Sequence, residues 1–410
     1  MEDYNIITLP NGIRIVHKEV TNTKIVHCGF ILDIGSRDED PHQQGLAHFW
    51  EHMAFKGTKK RKAFHILNRL ESVGGELNAY TTKEKICFYA SVLFKHFESA
   101  LELLTDITFD SIFPEKQIER ERKVILEEMA MYLDNPEDAI QDDFDSVVFP
   151  NHPLGYNILG TQESIRSFLK EDFQKFINEN INTEKIVFSC VGNISFTKVV
   201  KLTQKYLTDI PSFSATKQRK PFIKYIPQIK QVERPLSQAQ CAIGRTAYSI
   251  HDEDRFTFFT LINILGGPGL NSRLNMALRE KYGYVYSIDA SFTSYTDSGL
   301  FAIYFGTEPR QLERSIKLTL KELRNLKENA LGSVQLHRAK EQIMGQLAMA
   351  EENNTSLMLM MGKSILDCER IQSLEEIFTQ IKQINSSDLL KTANEMFDPD
   401  TLSYLTFVPN

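Results

Sequence analysis

The sequence predicts an α+β protein of two similar α/β domains, each a mostly antiparallel sheet packed with helices, and three observations predict it. At 410 residues the chain exceeds one ordinary core and suits two domains of about 200 residues each. Apolar runs that read as strands come in pairs interrupted by helical patterns, without the regular strand–helix alternation of a doubly wound parallel sheet. The chain also repeats itself: Asp172, Lys175, Asn178 and Glu179 recur as Asp388, Lys391, Asn394 and Glu395 at a constant offset. Each set begins a helix that leads through a turn to an apolar strand, 185–191 in the first half and 402–408 in the second. Halves that close alike point to duplication of one α/β unit.

The segment from Pro211 to Gln240 carries Pro211, Pro221, Pro227 and Pro235 and a basic run from Lys217 to Lys220, and reads as a linker. This sets an N-terminal domain over 1–212, a linker over 213–236 and a C-terminal domain over 237–410. In the first half the alternation predicts strands over 14–20, 24–32, 76–81 and 87–93. Helical periodicity covers 48–55, 63–73, 97–108 and 114–133, the last opened by Pro114 and halted by Asn135-Pro136. The second half has strands near 238–244, 284–291 and 299–305.

Hydrophobic residues at 42% and charged residues at 25% are globular values. The net charge of −7 argues against a nucleic-acid partner. Cys28, Cys87, Cys190, Cys241 and Cys368 are odd in number and scattered, with no C-x-x-C pair, and read as reduced core thiols. No basic region followed by an apolar run opens the chain, and nowhere do some 18 apolar residues follow one another. A cytoplasmic protein without a membrane partner is expected.

Chemistry concentrates between Gly45 and Thr58, Gly-Leu-Ala-His-Phe-Trp-Glu-His-Met-Ala-Phe-Lys-Gly-Thr. In a helix His48 and His52 share a face and Glu51 flanks the same spot. Leu46, Ala47, Phe49, Trp50, Met53 and Phe55 would bury that helix, and burying three ionisable groups costs several kcal/mol unless they are paired or metal-bound. Two imidazoles and a carboxylate suit Zn²⁺. A catalytic zinc needs a third protein ligand, and the helix over 114–133 offers one. Its inward stripe is Ile118, Glu121, Ile125, Glu128 and Tyr132, so two carboxylates interrupt an apolar face, while Glu119 and Glu127 fall outside it. Glu121 and Glu128 lie seven residues apart on one side; one can bind the ion while the other holds a ligand histidine or receives a proton. Periodicity leaves open which does which.

On these residues the chain resembles the pitrilysin/insulinase-type inverzincin peptidases, which include the mitochondrial processing peptidases, over nearly its whole length. That family carries H-x-x-E-H and, about 76 residues later, a ligand glutamate. The interval from His52 to Glu128 matches it, and the resemblance implies Glu128 as third ligand. Glu121, in Ile118-Glu119-Arg120-Glu121-Arg122, matches the family's outer acid. Gly74-Gly75-Glu76-Leu77-Asn78-Ala79-Tyr80-Thr81 and His152-Pro153-Leu154-Gly155 also match. In relatives the Asn78-Ala79 strand edge pairs with the substrate backbone; His152 reads as structural. Leu278-Arg279-Glu280-Lys281-Tyr282-Gly283-Tyr284-Val285-Tyr286 resembles the family's Arg…Tyr element, which implies that Arg279 and Tyr286 touch substrate and suit an oxyanion. Read alone, Arg279 would be a helix-end charge and Tyr286 a strand aromatic.

The resemblance implies paired domains of the processing-peptidase-like metallohydrolase fold, with zinc only in the first. The second domain's equivalent place, Gly266 to Leu274, has no histidine, and its glycines lack the spacing of a phosphate-binding loop. The implied function is a zinc-dependent endopeptidase or oligopeptidase acting on unfolded peptides: His48, His52 and Glu128 hold Zn²⁺, Glu51 is the general base, and Glu121, Arg279 and Tyr286 assist. Larger relatives enclose a chamber with four such domains, so a homodimer is expected here. The alternative, a noncatalytic substrate-binding or assembly subunit of the same fold, would have lost a motif residue, and His48, Glu51, His52 and Glu128 are all present. Trp50, the only tryptophan, stands where relatives often have a smaller aliphatic residue; it either packs behind the helix or narrows the pocket.

Overall fold

The computed structural model describes residues 4–216 and 218–410, so Lys217 of the basic run lies outside the described residues. Its strands are β1 (Asn5–Thr8), β2 (Arg14–Glu19), β3 (Ile25–Leu32), β4 (Glu76–Thr81), β5 (Ile86–Leu93), β6 (Ile186–Gly192), β7 (Ile229–Arg234), β8 (Ala239–Ala247), β9 (Val285–Ser294), β10 (Gly299–Thr307) and β11 (Ser403–Pro409). The helices of the first half are α1 (Leu46–Ala54), α2 (Ala63–Glu71), α3 (Phe97–Phe109), α4 (Glu115–Asp134), α5 (Pro136–Val148), α6 (Gln162–Ser167), α7 (Lys170–Asn180) and α8 (Phe196–Leu207). Those of the second are α9 (Arg255–Gly266), α10 (Leu312–Glu328), α11 (Ser333–Glu351), α12 (Asn354–Cys368), α13 (Leu374–Gln383) and α14 (Ser386–Met396).

The chain divides into two compact units, one of residues up to 129, 157–219 and 349–373, the other of 130–156, 220–348 and 374–410. The units do not follow linear order: each includes one segment from the opposite half. In the first unit the sheet order is β1-β2-β6-β3-β5-β4, antiparallel throughout except for the β2–β6 pair. One face packs on α1, α3 and α8, around Phe30, Phe49, Trp50, Phe88, Phe97 and Phe188. The other face, Val16, Ile31, Cys87, Val187 and Val191, is covered by Leu357, Met358, Met361 and Ile365 of α12. Cover on both faces is why β6 is buried along its whole length and reads as a continuous apolar run. Burying each of the large α12 side chains contributes about 1.5–3 kcal/mol. Gly362 permits the approach, since a Cβ there would lie 2.4 Å from Ile31 Cδ1.

The second unit repeats this topology with one strand fewer. Its order is β7-β11-β8-β10-β9, again with a single parallel pair, β7–β11. Thus β7, β11, β8, β10 and β9 occupy the places of β2, β6, β3, β5 and β4. The match in strand order and pairing supports duplication more strongly than the four repeated residues do. Phe258, Leu261, Phe301 and Phe397 form the core on one face. On the other, Phe144, Val147 and Val148 of α5, with Phe149, meet Ala242, Ala302, Leu405 and Phe407.

One feature departs from the sequence reading and two add to it. The proline-rich segment contains a strand, β7, flanked by Pro227 and Pro235, whose mostly exposed, largely polar Ile-Lys-Gln-Val-Glu-Arg suits a sheet edge. Asn135-Pro136 ends α4 but starts α5, with the Asn135 side chain accepting from Glu137 N–H and Pro at the first turn. Arg219, from the basic run, is not a solvated charge. It donates to both Asp38 carboxylate oxygens at 2.9 and 2.8 Å and to Asp33 Oδ1 at 2.9 Å. Arg37 on Glu84 and Lys85 on Asp33 and Asp367 extend the network.

Candidate metal centre

Helix α1 begins where Gly45 takes a left-handed φ of 92° and a Cβ would lie 2.5 Å from the Leu159 carbonyl oxygen, so only glycine fits. Phe49, Trp50, Met53 and Ala54 turn into the core. Trp50 is fully buried and packs edge-on against Phe88 and Phe176, behind the helix. The opposite side carries His48, Glu51 and His52. Helix α4 buries Ile118, Glu121, Arg122 and Ile125, and leaves Glu119 and Glu127 exposed. The predicted stripe fails at its end, where Tyr132 is 40% exposed.

The two helices bring three donors together. His48 Nε2 lies 3.8 Å from Glu128 Oε1 and His52 Nε2 lies 3.5 Å from Glu128 Oε2. Ligand atoms of His48, His52 and Glu128 all fall within 4.8 Å of one another, and among the described residues no other trio of such groups does. A tetrahedral ion with arms of about 2.0–2.2 Å spans edges of roughly 3.3–3.6 Å, so the donors fit zinc after a small contraction. Burial, reinforced by the neighbouring His52, pushes the His48 pKa down to about 3, so the ring presents a neutral nitrogen at neutral pH. Burial also raises the Glu128 carboxyl, against the attraction of His52.

Glu121 works from behind. His52 Nδ1 donates to Glu121 Oε2 at 3.3 Å, which assigns the tautomer that leaves Nε2 free for an ion. Lys56 Nζ holds the other Glu121 oxygen at 2.9 Å. Burial pushes the Glu121 carboxyl up, but the hydrogen bonds from His52 and Lys56 prevail and keep it below the usual carboxylate range. Glu51 stays outside the trio. Its Oε2 accepts from Thr81 Oγ1 at 2.6 Å, and burial raises its carboxyl against that bond and the His52 charge.

Thr81 ends β4, the edge strand, which among the described residues pairs only with β5; Asn78 and Ala79 sit at its middle. The matched His152 is structural: Nδ1 accepts from Leu154 N–H, and Nε2 donates to the Lys220 carbonyl at 2.9 Å. In the second unit Arg279 lies in a π-helical turn, Asn275–Glu280, a geometry frequent at functional sites. Its guanidinium stands 5.7 Å from the ring of Tyr286, which is 84% exposed at the start of edge strand β9. Gly267 and Gly269 lie in the turn between α9 and that helix. Sequence reasoning did not anticipate Lys56, Thr81 or Glu39, which bonds the first turn of α1.

The paired α+β fold thus presents H-x-x-E-H opposite a glutamate from a second helix. The chain belongs to the insulinase family of peptidases, family M16. Residues 14–162 match the profile described as Insulinase (Peptidase family M16), and 167–343 match the Peptidase M16 inactive domain. The chain is 33% identical to the uncharacterized zinc protease YmxG of Bacillus subtilis over 393 residues, covering 96% of this chain and 95% of the relative. It is 34% identical to an uncharacterized zinc protease of Rickettsia bellii over 402 residues, covering 98% and 97%. A solved protease from Helicobacter pylori superposes with a TM-score of 0.93 at 22% identity over all of both chains. A peptidase M16 inactive domain from Pseudomonas fluorescens gives 0.92 at 19%, covering all of this chain and 98% of that one. Among the described residues no helix is long and apolar enough to cross a membrane.

Proposed function

We propose that the chain is a zinc-dependent endopeptidase or oligopeptidase that hydrolyses unfolded peptides in the cytoplasm. The observation that carries this is the convergence of His48, His52 and Glu128 with Glu51 held beside them by Thr81. Zinc held by these three residues would acidify a water and polarise the scissile carbonyl. Glu51, outside the ligand set, takes the water's proton and passes it to the departing amine. Glu121 fixes His52. The free edge of β4 at Asn78 and Ala79 offers backbone donors and acceptors to an extended peptide, which favours unfolded substrates with little sequence demand.

Arg279 and Tyr286 donate to the substrate carbonyl and to the oxyanion that forms from it. Replacing Arg279 by Ala is expected to lower kcat by about 10²–10³, the loss typical of one oxyanion donor, with zinc content unchanged. Full kcat in that variant would remove Arg279 from the site.

Two such domains form half of a four-domain chamber, and a second copy of this chain supplies the rest. The test is cleavage of a mixed peptide library by the purified protein, abolished by chelation and restored by zinc. The active species should sediment at about twice the 47.1 kDa chain mass. Absence of zinc-dependent cleavage would overturn the peptidase, and full activity at monomer mass would overturn the dimer.

A further inference from the structure

The two ligand histidines are oriented by different means. His52 has a carboxylate on its Nδ1, whereas His48 Nδ1 is buried without a hydrogen-bond partner among the described residues. The aim of His48 therefore depends on the backbone that carries it. That backbone is the first turn of α1, which has no side-chain cap of its own and no acidic residue. A helix start leaves its first N–H groups without intrahelical acceptors.

Glu39 fills that role from outside the helix. It is 4% exposed, and its two oxygens accept from Gly45 N–H at 2.9 Å and from Ala47 N–H at 2.7 Å, the residue directly before His48. The loop that carries it is itself fixed: Asp38 accepts from Gly35 N–H at 2.9 Å and is gripped by Arg219. We propose that Glu39 is a positioning residue that clamps the start of α1 and so aims His48 at the metal. Burial raises the Glu39 carboxyl to about 8 against the pull of the Ala47 and Gly45 N–H groups. The Gly45 and Ala47 N–H groups each take one Glu39 oxygen, so the clamp uses the carboxyl as an acceptor on both sides. Gln offers one acceptor and turns an NH₂ donor toward a backbone donor; Asp keeps both acceptors on a shorter arm.

This inference rests on the zinc reading above, and the experiment separates the two. Zinc affinity is measured by chelator competition on wild type, Glu39→Gln and Glu39→Asp, with melting temperature, kcat and KM. Loss of a carboxylate bonded to a ligand histidine typically lowers metal affinity about 10–100-fold, and Glu39, which acts through the backbone one residue from His48, belongs at the low end of that range. Folded Glu39→Gln should lose at least about tenfold in zinc affinity, with kcat reduced and KM within about twofold, and Glu39→Asp should recover part of the loss. A purely structural role would lower the melting temperature and leave the zinc affinity of the folded protein unchanged. Wild-type zinc affinity and kcat in folded Glu39→Gln overturn the proposal. If Glu39→Gln does not fold, Glu39→Asp decides: a loss of about threefold or more in affinity supports the clamp, and none overturns it. Wild-type protein that binds no zinc sinks the zinc reading instead.

Discussion

Glu51→Gln is expected to keep zinc and fold while losing about two to four orders of magnitude in peptide hydrolysis, the range a positioned general base supplies. Gln has the shape of Glu and can still accept the 2.6 Å hydrogen bond from Thr81 with its carbonyl oxygen, so α1 should not shift. What it cannot do is take a proton. Burial has already moved the Glu51 carboxyl upward, toward the working range of a base, and the variant removes that function alone. Thr81→Val makes a weaker companion: it leaves the base in place but frees its orientation. Metal analysis must accompany the assay, because a rate loss with zinc loss would implicate ligation instead. Equal cleavage by Glu51→Gln and wild type would exclude Glu51 as the base.

The convergence of His48 and His52 was legible because helical geometry ties residues four apart to one face, whatever the rest of the fold does. Glu128 was less so. The stripe on α4 narrowed the choice to Glu121 and Glu128, and the spacing typical of the resembled family was needed to separate them. The structure adds a local reason: Glu121 meets Nδ1 of His52 and Glu128 meets both Nε2 atoms. Nothing in the spacing links Glu51 to Thr81 or Ala47 to Glu39, since those contacts depend on how an edge strand and a loop come to lie against α1.

The exchange of helices was likewise out of reach. Apolar periodicity says that α12 and α5 each have a face to bury, but not that α12 covers β3 and β6 while α5 covers β8 and β11. Strand β7 hid in a proline-rich stretch because Pro227 and Pro235 flank the strand and do not interrupt it. Duplication, inferred from four repeated residues, is carried by strand order and by the single parallel pair in each sheet. Composition could not reveal that, because pairing leaves no trace in residue counts.

Glu128→Gln and Glu121→Gln should separate ligand from supporting acid by metal binding alone. With Glu128 replaced, two imidazoles remain, short of the three protein ligands a catalytic zinc needs, so the variant should release its metal to a chelator that spares wild type. Glu121→Gln should retain the ion with affinity lowered about 10–100-fold, because His52 loses the carboxylate that fixes its tautomer while its Nε2 still faces the site. Thermal melting gives a second reading. Zinc at about 100 times its dissociation constant stabilises the folded state by about 2.7 kcal/mol, which corresponds to roughly 5–10 °C for units of this size. Wild type should show that rise, Glu121→Gln a smaller one at the same zinc concentration, and Glu128→Gln none. Without zinc, Glu128→Gln should melt no lower than wild type, since burial disfavours the Glu128 charge and an amide avoids it. A zinc-induced rise that survives in Glu128→Gln but vanishes in Glu121→Gln would exchange the two assignments.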